Sequence, residues 1–120
     1  MSETSGTSGT ELHRRHPAEL PKGTPALTAG QVADLGAKVD PGWRVDDTGP
    51  SGGAIERDFE FANFRDAFGF ATRVALLVER EFHHPELTVT WGKVTVRTWT
   101  HSVGGLSEND FIIAAKIDRL

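Results

Sequence analysis

Three of the five histidines of this chain lie between residues 83 and 101, and their side chains are the ones best suited to chemistry. His83 and His84 are adjacent and are followed by Pro85, whereas His101 ends a segment of alternating hydropathy. An imidazole titrates near neutral pH, so one histidine can donate a proton while another accepts one. The cluster therefore indicates acid–base chemistry on a bound molecule.

The residues around the cluster predict where the imidazoles point. His83 lies at the end of a predicted helix, where free carbonyl groups favour a cation. Pro85 pushes His84 towards an extended conformation, so the two adjacent side chains should point in different directions. A hairpin that ends at His101 would return this residue to the same junction. One site could then be lined by all three imidazoles.

Two other interpretations of the histidines stay open at this stage. Each can serve structure alone, with His83 capping the helix and His101 packing into the turn that follows it. Three histidines can also bind zinc, but adjacent histidines rarely hold one ion and no HExxH pattern accompanies them. We therefore expect neither a bound metal nor a cofactor.

The composition excludes several classes of protein. The chain has 120 residues, a formal charge of -4 and no cysteine. It lacks the basic surplus of a nucleic-acid-binding protein, and it cannot form a disulfide scaffold or a thiol nucleophile. No apolar run approaches the ~20 residues of a transmembrane helix, and no signal peptide is recognisable. We expect a cytoplasmic protein that contacts neither nucleic acid nor membrane.

The chain divides into a leader and a domain. Residues 1–25 are rich in Ser, Thr, Gly and Pro and include a short basic patch. Such a segment buries too little apolar surface to offset its ordering entropy, so it is predicted to be disordered. Residues 26–120 are predicted to form one domain around one core.

Hydropathy and capping patterns predict the element order αββαββα in this domain. Capping boxes at residues 28–31 and 107–110 mark the starts of the first and last helices. Asn63 caps a central helix that runs to about Phe82. Alternating segments predict four strands, near residues 43–45, 54–61, 87–91 and 94–101. Consecutive hairpins with separate helices indicate an α+β fold, a four-stranded antiparallel sheet with helices packed on one face.

The central helix carries an apolar face wider than one small sheet requires. Apolar residues cover about half of its circumference. Either the core is thick, or part of this face contacts another subunit. The apolar positions are residues 64, 68, 71, 75, 78 and 82, with residues 67, 70, 74 and 77 beside them.

A series of short motifs runs through the second half of the chain. These are FRDAFGFATRVAL at residues 64–76, EREFHHPE at residues 79–86, Trp91, Thr100-His101, GLS at residues 105–107 and Asp110. In this order and spacing they resemble the pterin-4a-carbinolamine dehydratase family, also known as the dimerisation cofactor of a homeodomain transcription factor. The resemblance covers roughly residues 27–118.

The resemblance implies a fold, an assembly and a reaction. The fold is the four-stranded antiparallel sheet with helices on one face, assembled as a homodimer or homotetramer. The reaction is that of a hydro-lyase, in which 4a-hydroxytetrahydrobiopterin loses water to give quinonoid dihydrobiopterin. It recycles the cofactor of aromatic amino acid hydroxylases, which implies a functional link to a pterin-dependent hydroxylase.

The resemblance also implies the site residues. His83, His84 and His101 would be catalytic. Our own hypothesis for the mechanism is that His84 or His101 protonates the departing hydroxyl, another imidazole removes a ring proton, and His83 helps to orient the ring. The pterin would be bound by Phe82, Glu79, Trp99, Thr100 and Ser102.

Several positions leave the interpretation open. Glu79 can hold an imidazole or be solvated, and Asp110 fits the capping box so well that a structural role is favoured. Leu87 stands where many family members carry an aromatic residue, which leaves the pterin specificity open. A non-catalytic dimerisation or assembly module on the same fold is the alternative function. The presence of all three histidines favours the enzyme.

Overall fold

A computed structural model describes residues 9–48 and 52–120. Its helices are α1 (Ala29–Gly36), α2 (Phe64–Glu81) and α3 (Glu108–Ile117), with short 3-10 helices at Gly9–Arg14 and His101–Val103. Its strands are β1 (Arg44–Asp46), β2 (Ala54–Glu60), β3 (Glu86–Thr90) and β4 (Lys93–Thr98). The predicted α+β fold and element order are confirmed. Within the described ranges, no helix is long and apolar enough to cross a membrane.

The four strands form one antiparallel sheet in the order β1-β2-β4-β3. The β3–β4 hairpin pairs Thr90 with Lys93, so its turn residues are Trp91 and Gly92 rather than the predicted Gly92 and Lys93. A side chain at position 92 would come within 2.9 Å of the Phe61 carbonyl oxygen, which explains the glycine. This hairpin carries β4 back to the C-terminal end of α2.

One face of the sheet forms the core. Ile55 of β2 and Val94 and Val96 of β4 are almost fully buried, and α2 packs against β3 and β4. Burying one such side chain, which is exposed in the unfolded chain, contributes about 1.5–3 kcal/mol to the free energy of folding. The core therefore fixes the end of β4 relative to the end of α2, where the histidines lie.

The other face of the sheet carries ion pairs. Arg97 Nη1 lies 2.8 Å from Asp46 Oδ2 and 3.2 Å from Glu56 Oε1. Hydrogen bonds from the Thr48 hydroxyl and amide, followed by one from Arg97, lower the pKa of Asp46 to about 2. A carboxylate with a lowered pKa stabilises the folded chain above its unfolded value, and this stabilisation is lost as the pH falls through the folded value. These contacts therefore favour the fold at neutral pH and weaken between about pH 4 and pH 2.

The helices begin where the capping residues predict. The Thr28 hydroxyl accepts a hydrogen bond from the Gln31 amide at 3.2 Å, and the Gln31 side chain accepts one from the Thr28 amide at 2.9 Å. Asn63 caps α2 through its side chain. Ser107 and Asp110 form the second capping box, at the start of α3. The local sequence thus sets the helix starts.

The wide apolar face of α2 is divided between the core and the surface. Its buried residues are Ala67, Phe70, Ala71, Val74, Leu77 and Val78. Phe64 and Phe68 of this face keep 48% and 56% of their surface exposed, and Leu76, which lies beside the predicted face, keeps 66%. The core therefore uses only part of the face, and an apolar stripe remains on the outside of the helix.

The prediction of a disordered leader is wrong for residues 9–25. Leu12 is only 2% exposed and belongs to the hydrophobic core. The Lys116 ammonium donates a hydrogen bond of 2.8 Å to the His13 carbonyl oxygen. A single well-placed leucine and main-chain contacts hold a segment whose average composition indicates disorder. Residues 1–8 lie outside the described residues, and so do residues 49–51 of the segment 46–53, whose composition predicts a turn.

Candidate active site

A cavity of about 660 Å³ lies where α2 ends, β4 ends and the N-terminal segment passes over them. This volume is within the usual range of small-molecule sites, about 300–1,000 Å³. All three predicted catalytic histidines line it. The other lining residues are Pro17, Ala18, Glu19, Leu20, Glu81, Phe82, Trp99, Thr100, Ser102 and Asn109.

The end of α2 turns the two adjacent histidines in different directions. Phe82 adopts the left-handed conformation, with φ of 57°, and the His83 amide donates back to the Val78 carbonyl oxygen. The chain therefore leaves the helix sharply at this point. The His83 side chain is only 11% exposed, whereas that of His84 is 59% exposed. The prediction that the two imidazoles diverge is confirmed.

His83 is held by a buried carboxylate. Its Nε2 lies 2.7 Å from Asp110 Oδ1 and 3.1 Å from the Thr98 hydroxyl oxygen. Asp110 is fully buried and also accepts hydrogen bonds from the hydroxyls of Thr98 and Thr100 and from the Ser107 amide. A carboxylate with four donors around it is well compensated for its burial.

This network fixes the tautomer of His83. An ionised Asp110 can only accept, so Nε2 of His83 must carry the proton between them. The opposite ring nitrogen, Nδ1, makes no hydrogen bond within the described part of the chain. Asp110 therefore both caps α3 and orients His83, which joins the capping role predicted for it to a role at the site.

His84 has a different partner. Its Nε2 lies 2.9 Å from Glu79 Oε1, and both side chains are exposed. Glu79 is not among the residues that line the cavity, so the structure does not bring it to the position expected of a pterin-binding residue. Its carboxylate instead reaches His84 from the last turn of α2. An exposed pair of this kind is weak, and the imidazole stays free to move.

His101 lies at the start of the 3-10 helix after β4 and is exposed. Within the described residues its imidazole has neither a hydrogen-bond nor an ion-pair partner. Its neighbours Trp99, Thr100 and Ser102, which the resemblance implies as pterin-binding residues, line the cavity. The Thr100 hydroxyl, however, donates a hydrogen bond of 2.8 Å to Asp110 Oδ2 and lies 2.6 Å from the Ser107 hydroxyl oxygen. Among the three imidazoles, that of His101 is the least constrained.

Comparison with known proteins identifies the family. Residues 25–120 match the sequence profile of the family described as pterin 4 alpha carbinolamine dehydratase. The chain belongs to the pterin-4a-carbinolamine dehydratase family. This confirms the resemblance drawn from the motifs.

Individual relatives agree with this assignment. A Rickettsia canadensis protein is 40% identical over 96 residues, which cover 80% of this chain and 84% of the relative. A Photobacterium profundum protein is 57% identical over 65 residues, 54% of this chain and 58% of the relative, so that match spans little more than half of its length. Both carry provisional names as pterin-4-alpha-carbinolamine dehydratases.

A solved structure shares the fold. The transcriptional coactivator/pterin dehydratase of Brucella melitensis superposes with a TM-score of 0.70 at 35% identity, over 78% of this chain and 96% of that one. The shared fold covers nearly the whole of that protein. The α+β architecture described above is thus that of the pterin-4a-carbinolamine dehydratase family.

Some lining residues of this family member were not predicted from its sequence. Glu81 has a side chain only 6% exposed, and its Oε1 lies 2.8 Å from His16 Nδ1. A signal for it existed, since Glu81 follows the buried Leu77 by one helical turn and so faces inward. No comparable signal marks Asn109 or the segment 17–20, because their positions depend on contacts distant in sequence.

A metal-binding arrangement was the other chemical interpretation of the histidines. Among residues 9–48 and 52–120, no three His, Cys, Asp or Glu side chains are grouped so that they could hold an ion. His83 Nε2 faces Asp110, while His84 Nε2 faces Glu79. The imidazoles thus line a common cavity with separate partners.

Phe82 combines backbone strain with an exposed ring at the cavity. A left-handed conformation costs a residue with a side chain about 1–2 kcal/mol, and the ring is 84% exposed. We expect Phe82→Gly to raise the free energy of unfolding by about 0.5–1 kcal/mol and to raise KM for the pterin about two- to tenfold. Chemical denaturation and steady-state kinetics measure the two effects.

The matched variant is Phe82→Ala, which removes the ring but keeps the strained backbone. It should raise KM as much as the glycine variant does, without the gain in stability. Equal stability of the two variants would show that the backbone at this position is not strained.

Proposed function

We propose that this chain dehydrates 4a-hydroxytetrahydrobiopterin to quinonoid dihydrobiopterin by histidine acid–base catalysis. The observation that carries the proposal is that His83, His84 and His101 line one cavity of suitable volume. Membership of the dehydratase family supports the reaction class. The product is the form from which the cofactor of aromatic amino acid hydroxylases is recycled.

The reaction needs one proton donor and one proton acceptor. The bond between C4a and the hydroxyl oxygen breaks, a proton joins the departing oxygen, and a ring nitrogen loses a proton as a double bond forms. Water leaves, and no redox change occurs. Two imidazoles of opposite protonation state could catalyse both transfers, typically for about a 10²–10⁴-fold acceleration.

The surroundings of each histidine suggest its role. His84 and His101 are exposed at the cavity and are assigned the proton transfers to and from the substrate. His83 is held in place by Asp110. We assign it the role of orienting the pterin ring through its Nδ1 atom. The aromatic rings of Phe82 and Trp99 offer flat apolar surface beside these groups, as stacking on a pterin requires.

Stopped-flow dehydration of freshly prepared carbinolamine tests the proposal. The wild-type chain should accelerate the loss of substrate absorbance well above the spontaneous rate in buffer. A rate equal to that in buffer would refute the enzyme. Size exclusion with candidate protein partners then tests the alternative, since partner binding without dehydration would favour a binding module.

We further propose that the chain is a homo-oligomer. The outer stripe of α2 leaves Phe64, Phe68 and Leu76 about half or more exposed, which is unfavourable for a monomer in water. A second copy of the chain could cover this stripe with its own equivalent helix. The Brucella melitensis relative is described as both a coactivator and a dehydratase, so a binding role beside catalysis is consistent with the family.

Light scattering at micromolar concentration should give a mass of two or four chains. Phe68→Glu should shift this mass to that of one chain, because a carboxylate would be buried in the apolar contact. Leu120→Glu places the same charge on an apolar side chain of similar exposure beyond the end of α3, away from this stripe, and should leave the mass unchanged. A wild-type monomer would contradict the proposal.

A further inference from the structure

We infer that residues 16–20, here called the strap, form a wall of the pterin site and help to determine how tightly the substrate binds. The inference rests on the proposed function. Residues Pro17, Ala18, Glu19 and Leu20 line the same cavity as the three histidines. The strap precedes residues 25–120, which match the family, so it lies outside the matched region.

A side-chain amide clamps the strap at its centre. The Ala18 amide donates to Asn109 Oδ1 at 2.9 Å, and Asn109 Nδ2 donates to the Ala18 carbonyl oxygen at 2.7 Å. Asn109 is only 6% exposed, at the start of α3. The Asn109 amide therefore hydrogen-bonds both the backbone N–H and the backbone carbonyl of Ala18, as a neighbouring β-strand would. This fixes the position of the strap.

Further contacts hold the strap on both sides of the clamp. His16 Nδ1 lies 2.8 Å from Glu81 Oε1, and Arg15 pairs with Glu108. Beyond the strap, the Gly23 amide donates to the Ser102 carbonyl oxygen at 3.3 Å. The strap is therefore attached to α2, to α3 and to the loop that carries His101.

The strap acts as a wall because the cavity remains open beneath it. The volume of about 660 Å³ exists with the strap in place, so the strap does not fill the site. Pro17 and Leu20 are partly buried and supply apolar surface, and Glu19 supplies a carboxylate at the rim. Apolar walls increase the affinity for a flat heterocycle such as a pterin. A carboxylate can in addition accept hydrogen bonds from the amino group of the pterin.

The test uses two variants of the full chain and a matched control. Asn109→Ala releases the clamp, and Leu20→Ala shortens the wall while leaving the clamp intact. Leu120→Ala makes the same truncation at an exposed position beyond the far end of α3. Both strap variants should raise KM about tenfold while kcat stays within about twofold, and the control should change neither.

Amide hydrogen exchange distinguishes a wall of the binding site from a strap with a structural role only. In the second case, pterin would not change the exchange rate of the strap amides. Adding 7,8-dihydrobiopterin to the wild-type chain should slow exchange at residues 18–20, and Asn109→Ala should abolish this effect. Unchanged KM in both variants, or exchange at the strap that does not respond to saturating pterin, would overturn the inference. A wild-type chain without dehydratase activity would instead refute the proposed function, and the exchange experiment would still decide the role of the strap.

Discussion

Replacing Asp110 with alanine is expected to lower the free energy of unfolding by about 3–5 kcal/mol and to slow dehydration at least about 10²-fold. The carboxylate is fully buried and accepts four hydrogen bonds, which include one from His83. Its loss removes the shared acceptor of these donors and leaves the imidazole held only by the Thr98 hydroxyl. Denaturant unfolding and stopped-flow dehydration measure the two effects.

Asp118→Ala is the matched control for this variant. Asp118 lies just beyond the other end of α3, where its carboxylate accepts hydrogen bonds from Arg57 and from the Trp43 indole. Its removal should also destabilise the chain, but the dehydration rate should be kept where the variant is folded. Equal losses of rate in the two aspartate variants would mean that Asp110 acts only through stability.

Replacing His84 or His101 with glutamine is expected to reduce the dehydration rate by about 10²–10⁴-fold each, with small changes in stability. Both imidazoles are exposed at the cavity, and neither is part of the core. Glutamine keeps polarity and approximate size but cannot exchange a proton at neutral pH. Stopped-flow measurements under saturating substrate give the comparison.

His13→Gln is the control for these substitutions. The imidazole of His13 does not line the candidate site, and the residue contributes its carbonyl oxygen to Lys116. This variant should retain the wild-type rate. If His84→Gln retains the full rate as well, the assignment of His84 is wrong and His101 must act with another group.

Local sequence predicted the elements well because their signals are local. Capping boxes at Thr28 and Ser107 act within four residues, and the alternation of β2 and β4 acts within each strand. The hairpin register was predicted one residue off at Gly92. In the structure Trp91 belongs to the turn and Lys93 to the strand. The alternation of apolar and polar residues alone does not reveal where the strand ends.

The sequence predicts which residues line the site where these residues are neighbours in the chain or where the order of the strands and helices brings them together. His83, His84 and His101 share a cavity as expected. Glu79 does not line it, whereas Glu81 does. These two positions lie on different sides of the same helical turn, and only the packing of α2 on the sheet decides which one faces the cavity.

The strap was the main feature that sequence could not predict. The composition of residues 1–25 indicates disorder, yet Leu12 before the strap inserts into the core and Asn109 clamps the Ala18 backbone within it. A main-chain contact of this kind leaves no mark in the sequence at Ala18. Its partner on α3 lies 91 residues away, beyond the reach of any local pattern.

The imidazoles of His84 and His101 are proposed to carry out the two proton transfers of the dehydration. The dehydration rate of the His84→Gln/His101→Gln double variant tests this most directly. If the residues act as a unit, the double variant should be little slower than the slower single variant and close to the spontaneous rate. A folded double variant that binds pterin and still dehydrates it at the wild-type rate would contradict the account.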